Sequence, residues 1–373
     1  MQRTLFAVCI VVTSLSAYAK DKVSISPEPL WRYAVSVDPN RPVSLKDVSD
    51  GYYLELYDEQ INLINQTEYT HFIKHVVNES GVQNTSEISV VFAPEYQELV
   101  FHYIRIIRNG RPIDQLNIHA IKIVQEETEA ENFEYNGTKR AFIILNDVKK
   151  GDRIEAAYSI KGFNPVFKGR FSRHLYFSNN NPITNYFETI LVQPERKLFF
   201  SYHENAEKPI EQVVSNTRIF HWKNPTIKLW EMQKNTPSWF NSYPYVAVTE
   251  FKDWSEVTGW GAQLFKNYEY SLPPALARKI LEWRQTAAGN RNKFITLASR
   301  FVQNEIRYLG IEVGVHTHQP HDPTEVFARG YGDCKDKALL LALILRHEKI
   351  DAFVALINTT EGDEMLHCEP APT

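Results

Sequence analysis

The stretch YGDCKDKALLLALIL, Tyr331–Leu345, joins a turn, a cysteine and a strongly apolar run. Asp333 is a residue type favoured at helix N-caps, and Asp336 follows three positions later, as in a capping box. A helix is therefore predicted to begin near Cys334. Because Ala338–Leu345 is apolar on every side, this helix is expected to be buried all round.

Cys334 falls in the first turn of the predicted helix, where unpaired backbone N–H groups and the helix dipole favour a negative charge. Lys335 and Lys337 add positive charge beside it, while Asp333 and Asp336 oppose. The pattern predicts an exposed thiol biased toward the thiolate, which is the nucleophilic form. The alternative interpretation is a small buried core cysteine.

Three histidines, His316, His318 and His321, precede this segment. Their His-x-His-x-x-His spacing matches the histidines of the metallo-β-lactamase zinc motif, and neutral imidazoles can ligate zinc. That motif needs an aspartate directly before its last histidine, where this chain has Pro320. We therefore expect packing or solvent-facing roles for the histidines, and the sequence implies neither a metal nor a cofactor.

From about residue 25 to about residue 265 the sequence has the character of strands. Segments rich in β-branched and aromatic residues alternate with glycine-containing turns, and no helix of convincing length is predicted between them. The predicted strands include Tyr52–Tyr57, Glu87–Pro94, Glu98–Ile107, Asn117–Val124, Arg140–Leu145 and Arg153–Ile160. The last two are expected to form a hairpin. This region predicts an antiparallel β-sandwich-like domain.

The character of the chain changes near Leu272-Pro273-Pro274. Apolar residues at three- and four-residue steps predict helices over Ala275–Thr286 and Asn290–Ile306. A strand is predicted over Ile350–Asn358, after the cysteine helix. The chain is therefore expected to be an α+β multidomain protein, with a β-rich domain over residues 20–269 and an α/β domain over residues 270–373.

Residues 1–19 have the layout of a cleaved secretory signal. Arg3 supplies positive charge, Leu5–Val12 a short apolar core, and Ala17–Ala19 a small-x-small exit. The apolar run is too short for a stable membrane span. Net charge is −4, and the absence of a long basic run excludes a nucleic-acid footprint. The sequence predicts an exported protein.

The region Arg300–Asn358 resembles the transglutaminase-like core of bacterial exported proteins in the papain-type cysteine superfamily. The matching stretches are IRYLGIEVG (Ile306–Gly314), QPHDPTEVF (Gln319–Phe327), YGDCKDKALLLALIL (Tyr331–Leu345) and IDAFVALINT (Ile350–Thr359). The upstream region resembles the β-rich domain of unknown function that commonly precedes this core. There the matches are NDVKKGDRIEAAYSIKG (Asn146–Gly162) and YPYVAVTEFKDWSEVTGW (Tyr243–Trp260).

This resemblance implies a papain-like α/β core and a Cys-His-Asp arrangement with Cys334 as nucleophile. In the family, the histidine and the aspartate come from two strands after the cysteine helix. Here His367 is a weak candidate for the base, and no aspartate follows it, so the core is expected to be truncated at its C-terminus and poorly active or inactive. The implied function is acyl transfer or peptide hydrolysis on a protein or peptide substrate, most readily in the periplasm.

An alternative function is non-catalytic. The β-rich region is dense in tryptophan, which suits contact with peptides, glycans or other components of the cell envelope if the rings are exposed. These residues are Trp222, Trp230, Trp239, Trp254 and Trp260. A binding or scaffold protein would use this aromatic surface, and a core role for the same rings would remove the argument.

Overall fold

The computed structural model describes residues 22–127, 130–231, 236–237, 240–265, 272–358 and 368–372. They form a mixed α/β protein with a large sheet-rich N-terminal region followed mainly by helices. The predicted signal peptide, residues 1–19, lies outside the described residues. None of the helices in the described ranges combines the length and apolar character needed to cross a bilayer.

The β-strands dominate the chain up to residue 250. In chain order they are β1 Val23–Ile25, β2 Tyr52–Asn62, β3 Thr67–Val76, β4 Glu87–Phe92, β5 Glu98–Arg108, β6 Arg111–Asp114, β7 Lys122–Gln125, β8 Glu134–Tyr135, β9 Lys139–Ile144, β10 Arg153–Lys161, β11 Ser172–Tyr176, β12 Ser178–Asn179, β13 Tyr186–Val192, β14 Phe199–His203, β15 Ile210–Val214, β16 Thr217–Lys223, β17 Lys228–Leu229, β18 Tyr245–Thr249, β19 Arg307–Tyr308, β20 Gly310–Ile311 and β21 Tyr331–Gly332.

The α-helices lie mostly in the C-terminal third. They are α1 Glu79–Thr85, α2 Trp254–Leu264, α3 Pro274–Ala287, α4 Arg291–Asn304, α5 Pro323–Arg329 and α6 Cys334–His347. Helices α3 and α4 confirm the two helices predicted from the apolar spacing after residue 272. The sequence pattern does not predict helix α2, because its stretch lies at the end of the strand-rich region.

A central sheet of nine strands has the order β1-β5-β10-β3-β2-β13-β16-β15, with β6 beside β5. Most neighbouring strands are antiparallel, but β1 runs parallel to β5 and β13 runs parallel to β2. The predicted antiparallel arrangement therefore holds for most neighbouring strands of this sheet and is wrong for these two pairs. The long connection from β10 to β13 passes through β11 and β12, and it returns the chain beside β2 in the same direction.

Two three-stranded sheets, β4-β9-β7 and β11-β18-β14, pack against the central sheet. One core cluster joins Phe92 and Ala141 of the first small sheet to Ile154 of the central sheet. Another joins Leu175 of the second small sheet to Ile190 of the central sheet. Apolar side chains from facing sheets thus exclude water between them, as in a sandwich.

The predicted hairpin of Arg140–Leu145 with Arg153–Ile160 is wrong. Strand β9 pairs with β4 and β7, whereas β10 pairs with β3 and β5. The two strands instead face each other across one core, where Ala141 and Ile154 both have 0% exposure. The short connection between β9 and β10 suggested direct pairing. Burying the apolar faces of the two strands against each other therefore contributes more to the fold than pairing them would.

Two other predicted strands differ from the structure. Only Lys122–Gln125 is a strand near the predicted Asn117–Val124, and Ile350–Asn358 contains no strand. Phe353 and Ile357 are each 81% exposed. A strand needs a neighbouring strand for its N–H and C=O groups, and no strand in the described ranges pairs with this segment. The domain division at residue 270 stays a prediction.

Candidate functional site at Cys334

Helix α6 begins at Cys334 with the predicted capping box, which the structure confirms. The Asp333 side chain accepts a hydrogen bond from the Asp336 N–H at 3.1 Å, and the Asp336 side chain accepts one from the Asp333 N–H at 3.3 Å. Leu340 and Ile344 on α6 pack into the cluster formed by α3, α4 and α5. The prediction of burial largely holds, although Ala338 is exposed. The start of α6 is thus fixed by the packing of the helix that follows it.

Cys334 is exposed at this helix start. The interpretation of a buried core cysteine is therefore wrong, since the first residue of α6 lies at the surface while most of the helix body is buried. The backbone N–H of Lys335 lies beside the sulfur and by itself favours the thiolate. No disulfide joins Cys334 to Cys368, and both residues lie in the described part of the chain.

The pKa of the Cys334 thiol is raised from its usual value. Although the residue as a whole is exposed, its neighbours partly exclude water from the sulfur, and the negative charge of Asp333 disfavours the thiolate further. Lys335 lowers the pKa, but by less. Its Nζ atom lies 2.6 Å from the Asp333 carboxylate and 3.0 Å from that of Glu312. The predicted bias toward the thiolate is wrong, because burial of the sulfur and the charge of Asp333 together outweigh Lys335, which has two carboxylate partners of its own.

The sheet-rich region contributes directly to the surroundings of Cys334. Strand β20 pairs in parallel with β8, which sets Gly310 opposite Glu134. The Tyr308 hydroxyl donates a hydrogen bond of 2.6 Å to Glu134. Burial, Glu134 and the nearby Cys334 raise the pKa of Tyr308. The cysteine therefore has a tyrosine and several carboxylates around it. The contribution of Glu134 could not be predicted from the sequence, because this residue lies 200 positions earlier in the chain.

His321 is buried against the start of α6. Its backbone N–H donates to Asp336 Oδ1 at 2.7 Å, and its Nδ1 atom lies 3.1 Å from Asp336 Oδ2. Arg329 Nη2 also lies 3.0 Å from Asp336 Oδ2, and the His316 ring stacks on His321 with centroids 3.8 Å apart. Burial would raise the pKa of Asp336, but the hydrogen bonds from His321 more than offset it and lower that pKa. His321 thus supports the helix cap, a role that the sequence interpretation missed.

His318 has a packing role. Its ring contacts Phe167 and Trp260 edge-on, with centroids 5.1 and 5.4 Å away, and its Nε2 atom lies 3.0 Å from the Pro372 carbonyl oxygen. Across the described ranges, no three His, Cys, Asp or Glu side chains converge in a metal-binding arrangement. The three histidines therefore serve packing and helix capping in this structure.

The candidate base, His367, lies outside the described residues. Among the described histidines, none forms a hydrogen bond with the Cys334 sulfur. The pairing of Cys334 with a base therefore stays a prediction.

The tryptophans of the β-rich region have mixed roles. Trp222 and Trp260 are buried, Trp254 is half-buried, and Trp230 is 59% exposed. Trp239 lies outside the described residues. Two of these rings are thus core residues, and the exposed Trp230 stacks on Tyr243 with centroids 6.2 Å apart.

Comparison with known proteins gives a partial assignment. Residues 64–229, just under half of the chain, match a family described as a domain of unknown function with a solved structure, DUF3857. This range lies inside the region predicted to be a β-rich domain of unknown function. No protein with a curated description matches the chain significantly.

Among solved structures, the chain is similar in fold to a proposed protease from Parabacteroides distasonis, with a TM-score of 0.63 at 14% identity. The alignment covers 82% of this chain and 60% of that protein, so the chain spans less than two thirds of its length. Legionella pneumophila aminopeptidase A also aligns, with a TM-score of 0.30 and 12% identity over 53% of this chain and 21% of the enzyme. The mixed α/β fold is thus shared with the Parabacteroides protein.

Proposed function

We propose that this protein is an exported, transglutaminase-like protein that performs acyl transfer or peptide hydrolysis with Cys334 as its nucleophile. The observation that carries the proposal is the exposed Cys334 at the first residue of α6, while the body of that helix is buried. A rigid helix start presents one sulfur to a substrate in a fixed position. The shared fold with a proposed protease supports the same reading.

In the proposed reaction, the Cys334 thiolate attacks the carbonyl carbon of a glutamine side chain or a peptide bond. The S–C bond forms, the C–N bond breaks, and ammonia or an amine leaves with a proton. Water or a second amine then attacks the acyl-enzyme and releases the thiol. Because the pKa of Cys334 is raised, the thiol needs a base to remove its proton, and His367 is the candidate that the family resemblance suggests.

The proposed compartment is the periplasm, with a protein or peptide of the cell envelope as substrate. The layout of residues 1–19 supports export, and the family resemblance supports the periplasm as destination.

A mass-spectrometric assay tests this function. The protein is incubated with a panel of unfolded proteins and a labelled primary amine, and both amine incorporation and peptide-bond cleavage are measured. Either activity should disappear in Cys334→Ala and persist in Cys368→Ala, the matched loss of the other described cysteine. Activity that survives Cys334→Ala would contradict the proposal.

A second candidate is a non-catalytic binding protein of the cell envelope. The raised pKa of Cys334 favours it, because a protonated thiol is a weak nucleophile. This function predicts that Cys334→Ala leaves binding to envelope proteins unchanged and that the wild-type protein has no turnover in the assay above.

A further inference from the structure

A cavity lies far from Cys334 in sequence, where strands β2, β13 and β11 meet. It has a volume of about 260 Å³. The residues used in the argument are Tyr57, Glu59, Arg173, Tyr176, Tyr186 and Glu188, all of which line it. Its position between the central sheet and the second small sheet makes it a built feature of the fold.

Two carboxylates stand side by side in this cavity. In the parallel register of β2 with β13, Glu59 is the direct partner of Glu188. Like charges in directly opposed positions of a sheet are destabilising, so this pair needs a compensating positive charge. Arg173, which also lines the cavity, supplies a positive charge next to Glu59.

Arg173 is engaged by other carboxylates. Its Nη2 atom lies 2.9 Å from Glu59, and its Nη1 atom lies 2.9 Å from Glu68. A guanidinium carries one positive charge, so three neighbouring carboxylates share a single cation. One guanidinium therefore serves the two glutamates that line the cavity and Glu68 beside them.

Glu188 has an oxygen without a partner. The side chain is fully enclosed, with 2% exposure, and its Oε2 atom accepts a hydrogen bond of 3.1 Å from the Tyr186 hydroxyl. Its Oε1 atom is buried and has no hydrogen-bond partner among the described residues. Burial, followed by the charge of Glu59, raises the pKa of Glu188 well above its usual range. A buried oxygen in this state is stabilised by any donor that enters the cavity.

Aromatic rings complete the lining. The Tyr57 and Tyr186 rings stack with centroids 5.6 Å apart. The Tyr57 hydroxyl donates a hydrogen bond of 2.9 Å to Glu59. Tyr176 contributes a third ring from β11. Carboxylates beside aromatic faces are the groups that bind organic cations, because the ring quadrupole and the carboxylate both attract positive charge.

We propose that this cavity binds an alkylammonium or guanidinium group, as carried by lysine or arginine, between the carboxylates of Glu59 and Glu188. The ligand supplies the donor that Glu188 Oε1 lacks and the charge that Arg173 does not provide. The volume lies just below the range of about 300–1,000 Å³ for drug-sized ligands, so one cationic side chain or small amine fits. The inference is independent of any role of Cys334.

Isothermal titration calorimetry on the whole protein tests this site. The probes are free lysine, arginine, N-acetyl-lysine amide and the neutral isostere norleucine. Both cationic amino acids should bind, and norleucine should bind at least about tenfold more weakly. Equal binding of free and blocked lysine identifies a side chain of a peptide as the source, whereas a requirement for the free α-amino group identifies a free amino acid.

The matched variants are Glu188→Gln and Glu98→Gln. Glu188→Gln should weaken lysine binding about tenfold or more, while Glu98→Gln, a change at an exposed position of β5, should leave it unchanged. The comparison of lysine with norleucine on the wild-type protein needs no variant, so it holds even if Glu188→Gln misfolds. Equal affinity for lysine and norleucine, or no binding of any cation, would mean that the cavity holds only solvent and would overturn the proposal.

Discussion

The Nζ atom of Lys335 lies 2.6 Å from the Oδ2 atom of Asp333, and these two residues flank Cys334 in the chain. Both side chains are buried, with 7% and 0% exposure. A cation that is paired in this way contributes little positive potential to its neighbours. Burial of the sulfur and, after it, the charge of Asp333 raise the thiol pKa, and the paired Lys335 offsets only part of this at a position where a helix start would lower it.

The Asp333→Asn variant should make Cys334 more reactive. Asparagine keeps the N-cap, removes one negative charge beside the sulfur, and leaves Glu312 to hold Lys335. The thiol pKa should fall, and alkylation by iodoacetamide at pH 7 should speed up roughly threefold to tenfold. Rates are measured by mass spectrometry at Cys334 across a range of pH.

Asp322→Asn is the matched control, because Asp322 is the N-cap of α5. It should leave the alkylation rate of Cys334 unchanged. An unchanged or slower rate in Asp333→Asn would show that Asp333 does not govern the thiol.

The Asp336→Asn variant should destabilise the protein. Asp336 is fully buried and accepts hydrogen bonds from His321 and Arg329, so loss of its charge leaves the Arg329 cation without its partner. We expect the free energy of unfolding to fall by about 2–4 kcal/mol. This is slightly less than the typical cost of breaking a buried ion pair, because Arg329 is partly exposed. Urea unfolding measures this change. Glu325→Gln, at an exposed position of α5, should change stability by less than about 0.5 kcal/mol, and a similarly small loss in Asp336→Asn would refute the argument.

Gly332→Ala should disturb the packing between the end of β21 and the start of α6. A Cβ atom at this position would lie 2.7 Å from the Cβ atom of Asp336 and 3.1 Å from Cγ1 of Val326. We expect a loss of about 1–3 kcal/mol in the free energy of unfolding, measured by thermal unfolding. Gly259→Ala in α2 meets open space, so it should be neutral or stabilising by up to about 1 kcal/mol. Equal effects of the two substitutions would contradict the close packing at Gly332.

Glu155 should contribute stability that depends on pH. Burial would raise its pKa, but the hydrogen bonds from His71 and Arg105 outweigh this and lower it to about 2. A carboxyl whose pKa is depressed in the folded state contributes stability above its unfolded pKa of about 4.3, and this is lost as the pH falls toward 2.

The Glu155→Gln variant should therefore be less stable than the wild type by about 1–2 kcal/mol above pH 5, a discounted figure because Arg105 is partly exposed. The difference should shrink steadily between pH 5 and pH 2. Urea unfolding at a series of pH values checks this, and a difference that does not vary with pH would exclude the ion pair as its cause.

Local signals in the chain were sufficient for much of the fold. The cap at Asp333 and Asp336 depends on residues three apart, and the apolar spacing of α3 and α4 depends on single helical turns. Strands such as β5 and β10 follow from their own β-branched and aromatic residues. These preferences act within a few residues, so they can be deduced without knowing what lies nearby in space.

Long-range packing decided the remaining features. Strand β9 faces β10 across a core rather than pairing with it, and β13 lies parallel to β2. The Lys335 ammonium forms an ion pair with Glu312, which is 23 positions earlier in the chain. In each case the free energy comes from burying surfaces or charges that are distant in the chain. The position of Cys334 was therefore evident from its own helix, whereas its protonation depends on neighbours that only the folded chain brings to it.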